Sequence, residues 1–546
     1  MTKKHKEKSR TVRHLIQSAA RGNINSSYQL YLNYSKGKNV EEKNDELAQE
    51  YFDEVEKALI EKRLTLASLH LSDFRRFQAL DISFDDKVTV IIGDNGAGKT
   101  SITEAISKIF TWFNNNLEKT DVNGRPVVPA DINVNSTGYA EVTAVFNFDK
   151  ENSFETTIGR VTPGYIGSSP TEVASIKQVA NMYKQAANNR TVAIPLFAFY
   201  SVERSNFNLT EVIPEKSVAD TVSNRFSDLK TALEGNGKLE DFSKLYIELV
   251  NLAEGENTNE AKALKGQIWT LQSTIEDVYE GKTPPENDIF TAKLAQKKEE
   301  LKKILSSKSS EKYQQHLDLV NYAIETLVPD VKNIEVDRSS GHPRLLVENF
   351  GNIINITQLS QGQKMLVALA GDLVRRLVKL NPDSVAPLHS HGIVLIDEIE
   401  LHLHPKWQQT ILTGLQATFP NLQFIVTTHS PQVLSTIDKK CIRILRFDND
   451  GAAAIDTPKY QTKGVCSSDV LEQIMSTFST PFVEEANWLT NYSAYIADNK
   501  WMTEEAQQLF EKIVSHFGSE HPEVVKVKGD IRVQELKLKA KRITGR

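Results

Sequence analysis

Hydrophobic and polar positions change period several times along the chain, and each change marks an element boundary. Residues 15–60 carry small and aromatic residues at three- and four-residue spacing, which predicts a helical pair with turns at Gly22 and Gly37. From Leu64 the period falls to two: LTLASLHL and ALDISF alternate, and VTVIIG follows as an apolar run, the pattern of strands entering a turn. Residues 215–325 return to helical spacing with dense charge, as in AKLAQKKEELKKIL and QHLDLVNYAIETLV, and Pro284 and Pro285 break them into two arms. Each arm can hold at most about 50 residues, roughly 75 Å at the rise of a helix, which excludes a long coiled coil. Strands resume after Ile334 with IEVD and RLLVEN, an apolar helix covers 364–380, and GIVLID and LQFIVTTH predict buried parallel strands. From about 467 onward the pattern is helical throughout.

Strands alternating with helices predict an α/β fold, interrupted by a helical insertion. The expected domains are a basic tail and helical repeat over 1–62, two α/β lobes over 63–214 and 329–460, the insertion over 215–328, and a helical tail over 461–546 that is expected to bind a partner. Composition adds exclusions. Of 546 residues, 40% are hydrophobic and 25% charged, which rules out wholesale disorder. A net charge of −6 argues against a surface built entirely to wrap nucleic acid, although 526–546 holds eight Lys or Arg against two acids. That segment reads either as a solvated helix end or as a patch for an acidic partner or nucleic acid. Cys441 and Cys466 cannot build a disulfide framework or a four-thiolate zinc site, which fits a reducing cytoplasm. The apolar run TVAIPLFAFY is about half the roughly 18 residues a membrane span needs, so no membrane association is expected. The first fourteen residues are basic without an apolar run behind them and read as a solvated terminus, with a nucleic-acid-binding arm as the alternative.

The chemistry starts at Gly93. Gly93-Asp94-Asn95-Gly96-Ala97-Gly98-Lys99-Thr100 matches G-x-x-x-x-G-K-[ST], after the apolar run VTVII and before the helical SITEAISKIF. The glycines let the backbone curl so that N–H groups face phosphate oxygens, and the following helix adds its positive end. Lys99 is expected to reach the β- and γ-phosphates of ATP and Thr100 to hold Mg²⁺. The candidate nucleotide-binding residues here are Asp94, Asn95, Gly96, Ala97, Gly98, Lys99, Thr100 and Ser101. At the end of the second buried run stand Asp397 and Glu398: Asp397 is expected to complete the Mg²⁺ shell, and Glu398 to activate or position the attacking water.

Gln358-Leu359-Ser360-Gln361-Gly362-Gln363-Lys364, ahead of an apolar helix and between the two phosphate motifs, resembles the LSGGQ-type signature of ABC ATPases. The resemblance implies that Ser360, Gly362 and Gln363 bind the nucleotide held on a second copy's P-loop, so that sites form only in a homodimer, with higher oligomers possible. Residues 421–430, NLQFIVTTHS, are similar to the switch-histidine strand of that class, and imply that His429 contacts the γ-phosphate. Phe74-Arg75-Arg76-Phe77 resembles a motif of Rad50-, RecF- and SMC-type heads, implying that Arg75 lies near the nucleotide. Glu400-Leu401-His402-Leu403-His404-Pro405 is similar to the D-loop region of overcoming-lysogenisation-defect ATPases. His402 and His404 lack companions at metal spacing and are expected to be structural. The pattern lacks an evident Q-loop glutamine: 129–142 occupies its place. Arg204 is expected either to face the nucleotide or to form a surface salt bridge.

An attached module would name the biological role. Asp448-Asn449-Asp450 follows a strand, but the glutamate and βα repeats of a Toprim nuclease are missing, as is a His-Asn-His core, so no nuclease site is expected in this chain. Ala19, Ala20, Gly22, Tyr28, Leu30, Tyr31, Gly37, Val40, Ala48 and Tyr51 resemble one Sel1-type repeat, which must dock on the chain or on a partner. Repeat, compact ATPase and helical tail together resemble the PtuA family, the ATPases of Septu anti-phage systems, including retron-attached versions. This implies an ABC/SMC-like (Rad50/RecF-like) ATPase that dimerises on ATP and controls a PtuB-like HNH endonuclease. A retron reverse transcriptase and its RNA–DNA product are further implied partners, with nucleic acid reached through them. The rival is a RecF/Rad50-like repair ATPase that clamps DNA directly, for which Lys364, Arg375, Arg376 and Lys379 would form a basic stripe. Those residues read equally as the polar side of an amphipathic helix. A third reading is a scaffold that binds ATP without hydrolysing it.

Overall fold

The computed structural model describes residues 10–205, 225–235, 239–253, 259–279, 289–305, 308–339, 342–475, 477 and 483–544. The basic residues 1–9 and the Pro284-Pro285 break lie outside the described residues. The chain divides into two units, Met1–Val465 and Cys466–Arg546.

In the first unit the predicted helical pair is a helical triplet: α1 (Arg10–Ala19), α2 (Ile24–Lys36) and α3 (Asp45–Glu61). The basic composition of α1 hid its apolar face, which buries Val12 and Ala19 against Leu30, Tyr34 and Ala48. Asn23 and Asn44 cap α2 and α3 by accepting the N–H groups of Ser26 and Leu47. The triplet docks on its own chain. Ile24 N–H donates to Asn152 at 3.0 Å, Gln29 to Gln178 at 2.6 Å, and Asn189 to Glu56 at 2.8 Å.

The ATPase part holds three sheets. β1 (Thr65–Phe74), β2 (Phe77–Ser83), β4 (Tyr139–Asn147) and β5 (Ser153–Val161) form an antiparallel sheet in the order β2-β1-β4-β5. β3 (Val88–Ile92), β6 (Leu196–Tyr200), β10 (Gly392–Ile396), β11 (Leu422–Thr427), β12 (Ile442–Phe447) and β13 (Ala453–Asp456) form the central sheet, ordered β13-β12-β3-β11-β10-β6. Every pairing in it is parallel except β12 with β13. Strands β3, β6, β10 and β11 are buried along their whole length, which is why they read as unbroken apolar runs. The third sheet, β7 (Val331–Asp337), β8 (Arg344–Asn349) and β9 (Asn352–Asn355), is antiparallel.

α4 (Lys99–Glu118) follows β3 and packs Phe110 and Phe113 against Phe197 of β6; α5 (Ala174–Ala186) lies beside it. Among the described residues the insertion holds the α-helices α6 (Leu239–Ala253), α7 (Asn259–Tyr279), α8 (Ile289–Leu305) and α9 (Lys308–Leu327). α7 pairs with α8, while α6 and α9 pack on α10 (Gln361–Leu380). The 21 residues of α7 span about 30 Å.

α10 departs from the amphipathic reading. Arg375 and Arg376 are buried, each paired with Asp372 at 2.7 Å; Asp228 also pairs with Arg375, and with Lys379 at 3.0 Å. Tyr200 adds its hydroxyl to Asp372 at 2.8 Å. The guanidinium groups are turned inward because the segment after β6 covers this face of the helix. Although burial opposes its charge, Arg376 and Arg375 draw the Asp372 carboxyl down to about 2. Short helices α11 (Pro405–Gln408), α12 (Ile411–Thr418) and α13 (Pro431–Leu434) complete this unit. Asp448 serves the β12–β13 turn, accepting the N–H groups of Asp450 and Ala452 at 3.0 and 2.7 Å.

The second unit contains α14 (Ser467–Gln473), α15 (Glu484–Ala497), α16 (Glu504–Phe517) and α17 (Pro522–Thr544). The last three share a core of Tyr492, Ile496, Trp501, Ile513, Val524 and Val527. Residues 461–464, by contrast, are tied to the first unit: Thr462 donates to the Ile437 carbonyl at 2.6 Å and Gly464 to that of Ser435 at 2.8 Å. Among the described residues no helix is long and apolar enough to cross a membrane.

Candidate active site

Adjacent parallel strands β3, β11, β10 and β6 end at one edge of the sheet, and the chemistry collects there, outside their carboxyl ends. The P-loop leaves β3 and enters α4. Gly98 has φ +103°, and a Cβ there would come within 2.6 Å of the Phe77 ring, so glycine is required on both counts. Lys99 is buried and donates to the carbonyls of Gly93 at 2.8 Å and Asp94 at 3.0 Å. Burial pulls its pKa below the ordinary lysine value, against the opposing pull of Asp397, Glu398, Glu400 and Asp94.

Walker B stands one strand beyond β11. Asp397 is fully buried; its Oδ2 accepts from the Thr100 hydroxyl at 2.8 Å and its Oδ1 from the Thr427 hydroxyl. Glu398 has φ 47°, the left-handed region, and its N–H donates to Thr427 Oγ1 at 2.8 Å. Glu400, named in the sequence only as part of a D-loop-like stretch, braces the end of the next strand. Its carboxylate accepts from the Thr428 hydroxyl at 2.6 Å and from the His429 backbone N–H at 2.5 Å. An acid two residues after Asp-Glu was the signal available. Burial and then Lys99 draw the His429 imidazole below its ordinary pKa, opposed by Glu400, Glu398 and Asp397, which favours the neutral ring.

These groups line a cleft of about 290 Å³. The P-loop side supplies Asn95, Gly96, Gly98, Lys99, Thr100 and Ser101; Arg75, Arg76, Asp397, Glu398 and His429 face them. Asp94 and Ala97 do not line it, and Asp94 contributes its carbonyl to Lys99 instead. Arg75, at φ 53°, is held by Asp131 at 3.0 Å, by Glu104 and by Ser101. Burial works against its charge, but Glu104 and Asp131 outweigh it and raise the pKa. Arg76, named in the sequence only within the Phe74–Phe77 motif and given no role there, donates to the Gly96 carbonyl and stacks 3.9 Å over the Phe447 ring. In the segment that replaces the Q-loop, Asp131 joins Arg75 and Lys108, and Asn133 donates to the Arg75 carbonyl at 2.6 Å, so both brace the Arg75 turn.

Arg204 takes neither of its expected places. It is 4% exposed and grips the Walker B backbone from behind, donating to the carbonyls of Asp397 and Glu398 at 2.5 and 2.6 Å. The turn after β6 directs it inward, and burial lowers its pKa to about 10 against the pull of Asp397, Glu400 and Glu398.

Ser360, Gly362 and Gln363 do not line the cleft of their own chain. Ser360 caps α10, accepting the Gln363 N–H at 3.3 Å. Gln363 is turned inward and donates to the Pro329 carbonyl and to Asn349 at 3.2 and 2.9 Å. A Cβ on Gly362 would meet the His402 carbonyl at 2.6 Å, so glycine permits α10 to approach the D-loop. His404 caps α11 through Nδ1, accepting the Lys406 N–H at 3.3 Å. Among the described residues no cluster of three or more His, Cys, Asp or Glu is placed to hold a metal. The Thr100 hydroxyl beside the Asp397 carboxylate is a hard-oxygen pair opening on the cleft, and it suits Mg²⁺, which takes one or two protein ligands and fills its shell with phosphate and water.

A P-loop, a Walker B acid pair, a histidine at the next strand end and a serine-capped signature helix together define an ABC/SMC-class ATPase head. Residues 65–434 match the family described as AAA ATPase domain. The chain is similar to the retron Ec83 probable ATPase of Escherichia coli, 32% identical over 536 residues that cover 95% of this chain and 96% of that one. It is also similar to the retron Vc95 probable ATPase of Vibrio cholerae, 31% identical over 491 residues, 89% and 93% of the two chains. A shorter match joins it to the Septu protein PtuA of Bacillus mycoides, 34% identical over 140 residues, 26% of this chain and 19% of that one. The chain therefore belongs to the AAA ATPase domain family, and over nearly its whole length to the same family as these retron probable ATPases.

Proposed function

We propose that the chain hydrolyses ATP in a homodimer whose two sites each combine the P-loop of one copy with the signature serine of the other, and that this cycle controls a partner HNH endonuclease in anti-phage defence, as the effector of a retron. The observation that carries the dimer is the division of the site. Lys99, Thr100, Asp397, Glu398 and His429 converge on one cleft, while Ser360 of the same chain lies off it.

Lys99 has two carbonyl partners that it can exchange for phosphate oxygens. Thr100 and Asp397 would hold Mg²⁺, which when bound neutralises charge on the phosphate oxygens. Glu398 lines the cleft beside them as the base that orients water, and neutral His429 is a hydrogen-bond donor for the γ-phosphate. The defence role rests on the similarity to retron ATPases and Septu PtuA, and no nuclease site is assigned to this chain. A clamp gripping DNA through α10 is not favoured, because Arg375, Arg376 and Lys379 are committed to Asp372 and Asp228.

Mixing Ser360→Arg and Lys99→Ala chains tests the shared site. Each is expected to be inactive alone, while the mixture regains phosphate release from one composite site per heterodimer. A mixture as inactive as its parts would overturn the dimer. Purification from the native host with identification of co-purifying chains tests the partner: an HNH nuclease is expected, and bare DNA in its place would restore the clamp.

A further inference from the structure

We propose that Arg204 is a positioning residue for hydrolysis: its buried guanidinium fixes the backbone of Asp397 and Glu398 and so holds the Glu398 side chain at the cleft. This rests on the reading of Glu398 as the base.

Burying a guanidinium is costly unless it is paired, yet among the described residues no carboxylate lies within 4.0 Å of this one. Its donors go to main-chain carbonyls. Nη1 donates to Ser201 at 2.8 Å and to Asp397 at 2.5 Å, Nη2 donates to Glu398 at 2.6 Å, and Nε has no hydrogen-bond partner among the described residues. A space-filling role would be met by an apolar side chain at that position. What the fork adds is a rigid two-pronged hold on successive carbonyls.

Those carbonyls flank the residue that needs holding. Glu398 sits at φ 47°, a conformation a glutamate keeps only when its surroundings over-determine it. The N–H groups of the turn are each restrained as well: Asp397 N–H by the Tyr200 carbonyl at 2.8 Å, Glu398's own N–H by the Thr427 hydroxyl at 2.8 Å, and Ile399 N–H by the Thr427 carbonyl at 3.0 Å. These fix the donors of the turn; of its acceptors, the Asp397 carbonyl is held by Arg204, and the Glu398 carbonyl is shared between Arg204 and the Leu401 N–H at 2.9 Å. Tyr200 ends β6 and Arg204 lies in the single helical turn Val202–Ser205 just after it, and the Tyr200 hydroxyl reaches Asp372 of α10, so the same short segment touches α10 and the Asp397–Glu398 turn. Without the fork, the turn can relax to negative φ and swing the Glu398 carboxylate off its line while the P-loop stays intact.

The test uses the full chain with Arg204→Gln and Arg204→Lys, measuring nucleotide affinity with a fluorescent ATP analogue and turnover by phosphate release. Turnover is expected to fall about 10- to 100-fold in Arg204→Gln, as for other residues that orient a catalytic group. Affinity is expected to change by less than about 3-fold, because the group acts on the chemical step. Lys keeps the charge without the fork and is expected to recover only part of the rate. In a Glu398→Gln background, single-turnover measurement should show no further loss from Arg204→Gln. Unchanged turnover, an equal loss in the Glu398→Gln background, or affinity falling in step with turnover would each overturn the proposal. If Arg204→Gln does not fold, Arg204→Lys carries the same measurements. Wild-type turnover in Glu398→Gln alone would instead remove the base reading, so the two failures are told apart.

Discussion

The hydroxyl of Thr100 donates to the carboxylate of Asp397 at 2.8 Å, joining the first turn of α4 to the end of β10. The two residues are 297 positions apart in the chain, and they meet because β3 and β10 flank β11 as parallel strands of one sheet and all three end at the same edge. The Thr427 hydroxyl takes the second carboxylate oxygen, so Asp397 is aimed from both sides.

Asp397→Asn and Thr100→Val should therefore shift the magnesium dependence of turnover. The first removes the negative charge and one carboxylate oxygen, the second the hydroxyl oxygen, and losses of about 10- to 100-fold in metal affinity are usual for such changes. The check is a magnesium titration of phosphate release. A half-saturating concentration that stays at the wild-type value in both variants removes the pair from the metal site.

Glu400→Gln should lower turnover through His429. The carboxylate accepts two donors, the Thr428 hydroxyl and the His429 N–H, and an amide has only one acceptor oxygen to offer them. One donor is left facing an NH₂ group, which costs about 1–3 kcal/mol in a buried setting and displaces the switch strand end. Phosphate release is expected to fall about tenfold for each 1.4 kcal/mol carried to the transition state. Retention of full turnover would show that His429 needs no such anchor.

Much of this site was legible because its signals are local. Gly93 to Thr100 is a contiguous motif, and Asp397 and His429 each end an apolar run long enough to mark a buried strand. Arg204 was not legible, because its partners lie 193 and 194 positions away and its function is a contact with backbone, which leaves no pattern. Arg375 and Arg376 misled for a related reason. Their spacing to Asp372 suits an exposed helix face, and only Asp228, over 140 positions earlier, shows the face to be covered. α1 was missed since Arg10, Arg13 and His14 outnumber the apolar positions it buries.

Asp372→Asn should destabilise the first unit by about 3–5 kcal/mol, the cost of leaving buried charges without their partner. Asp372 lies 1% exposed between Arg375 and Arg376, and replacing its charge leaves Arg376 without its carboxylate and Arg375 with Asp228 alone, and weakens the bond from Tyr200. Urea unfolding followed by tryptophan fluorescence measures this. A midpoint within error of wild type would mean that Asp228 alone carries both arginines.

Stability should also fall as pH drops below about 6.5, the ordinary histidine value, and before the carboxylates titrate. Three histidines contribute: His391 and His316, both lowered to about 4, and His429, lowered in the same direction. Burial and then Arg63 lower His391 to about 4, while its Nε2 meets the Tyr183 hydroxyl at 3.0 Å. Burial and then Lys312 lower His316 to about 4 as well. The folded chain keeps both rings neutral where the unfolded chain takes up protons, so their contribution is complete above about pH 6.5 and is lost progressively toward pH 4. At about pH 5.5 the His391 and His316 rings should each cost about 1 kcal/mol. Asp372, held at about 2, still contributes fully in this window, so the loss belongs to the histidines. Thermal midpoints measured across it should fall steadily, and His391→Gln, which still offers Tyr183 a partner, should fall less steeply. Parallel slopes for wild type and variant would show that His391 is protonated in the folded chain.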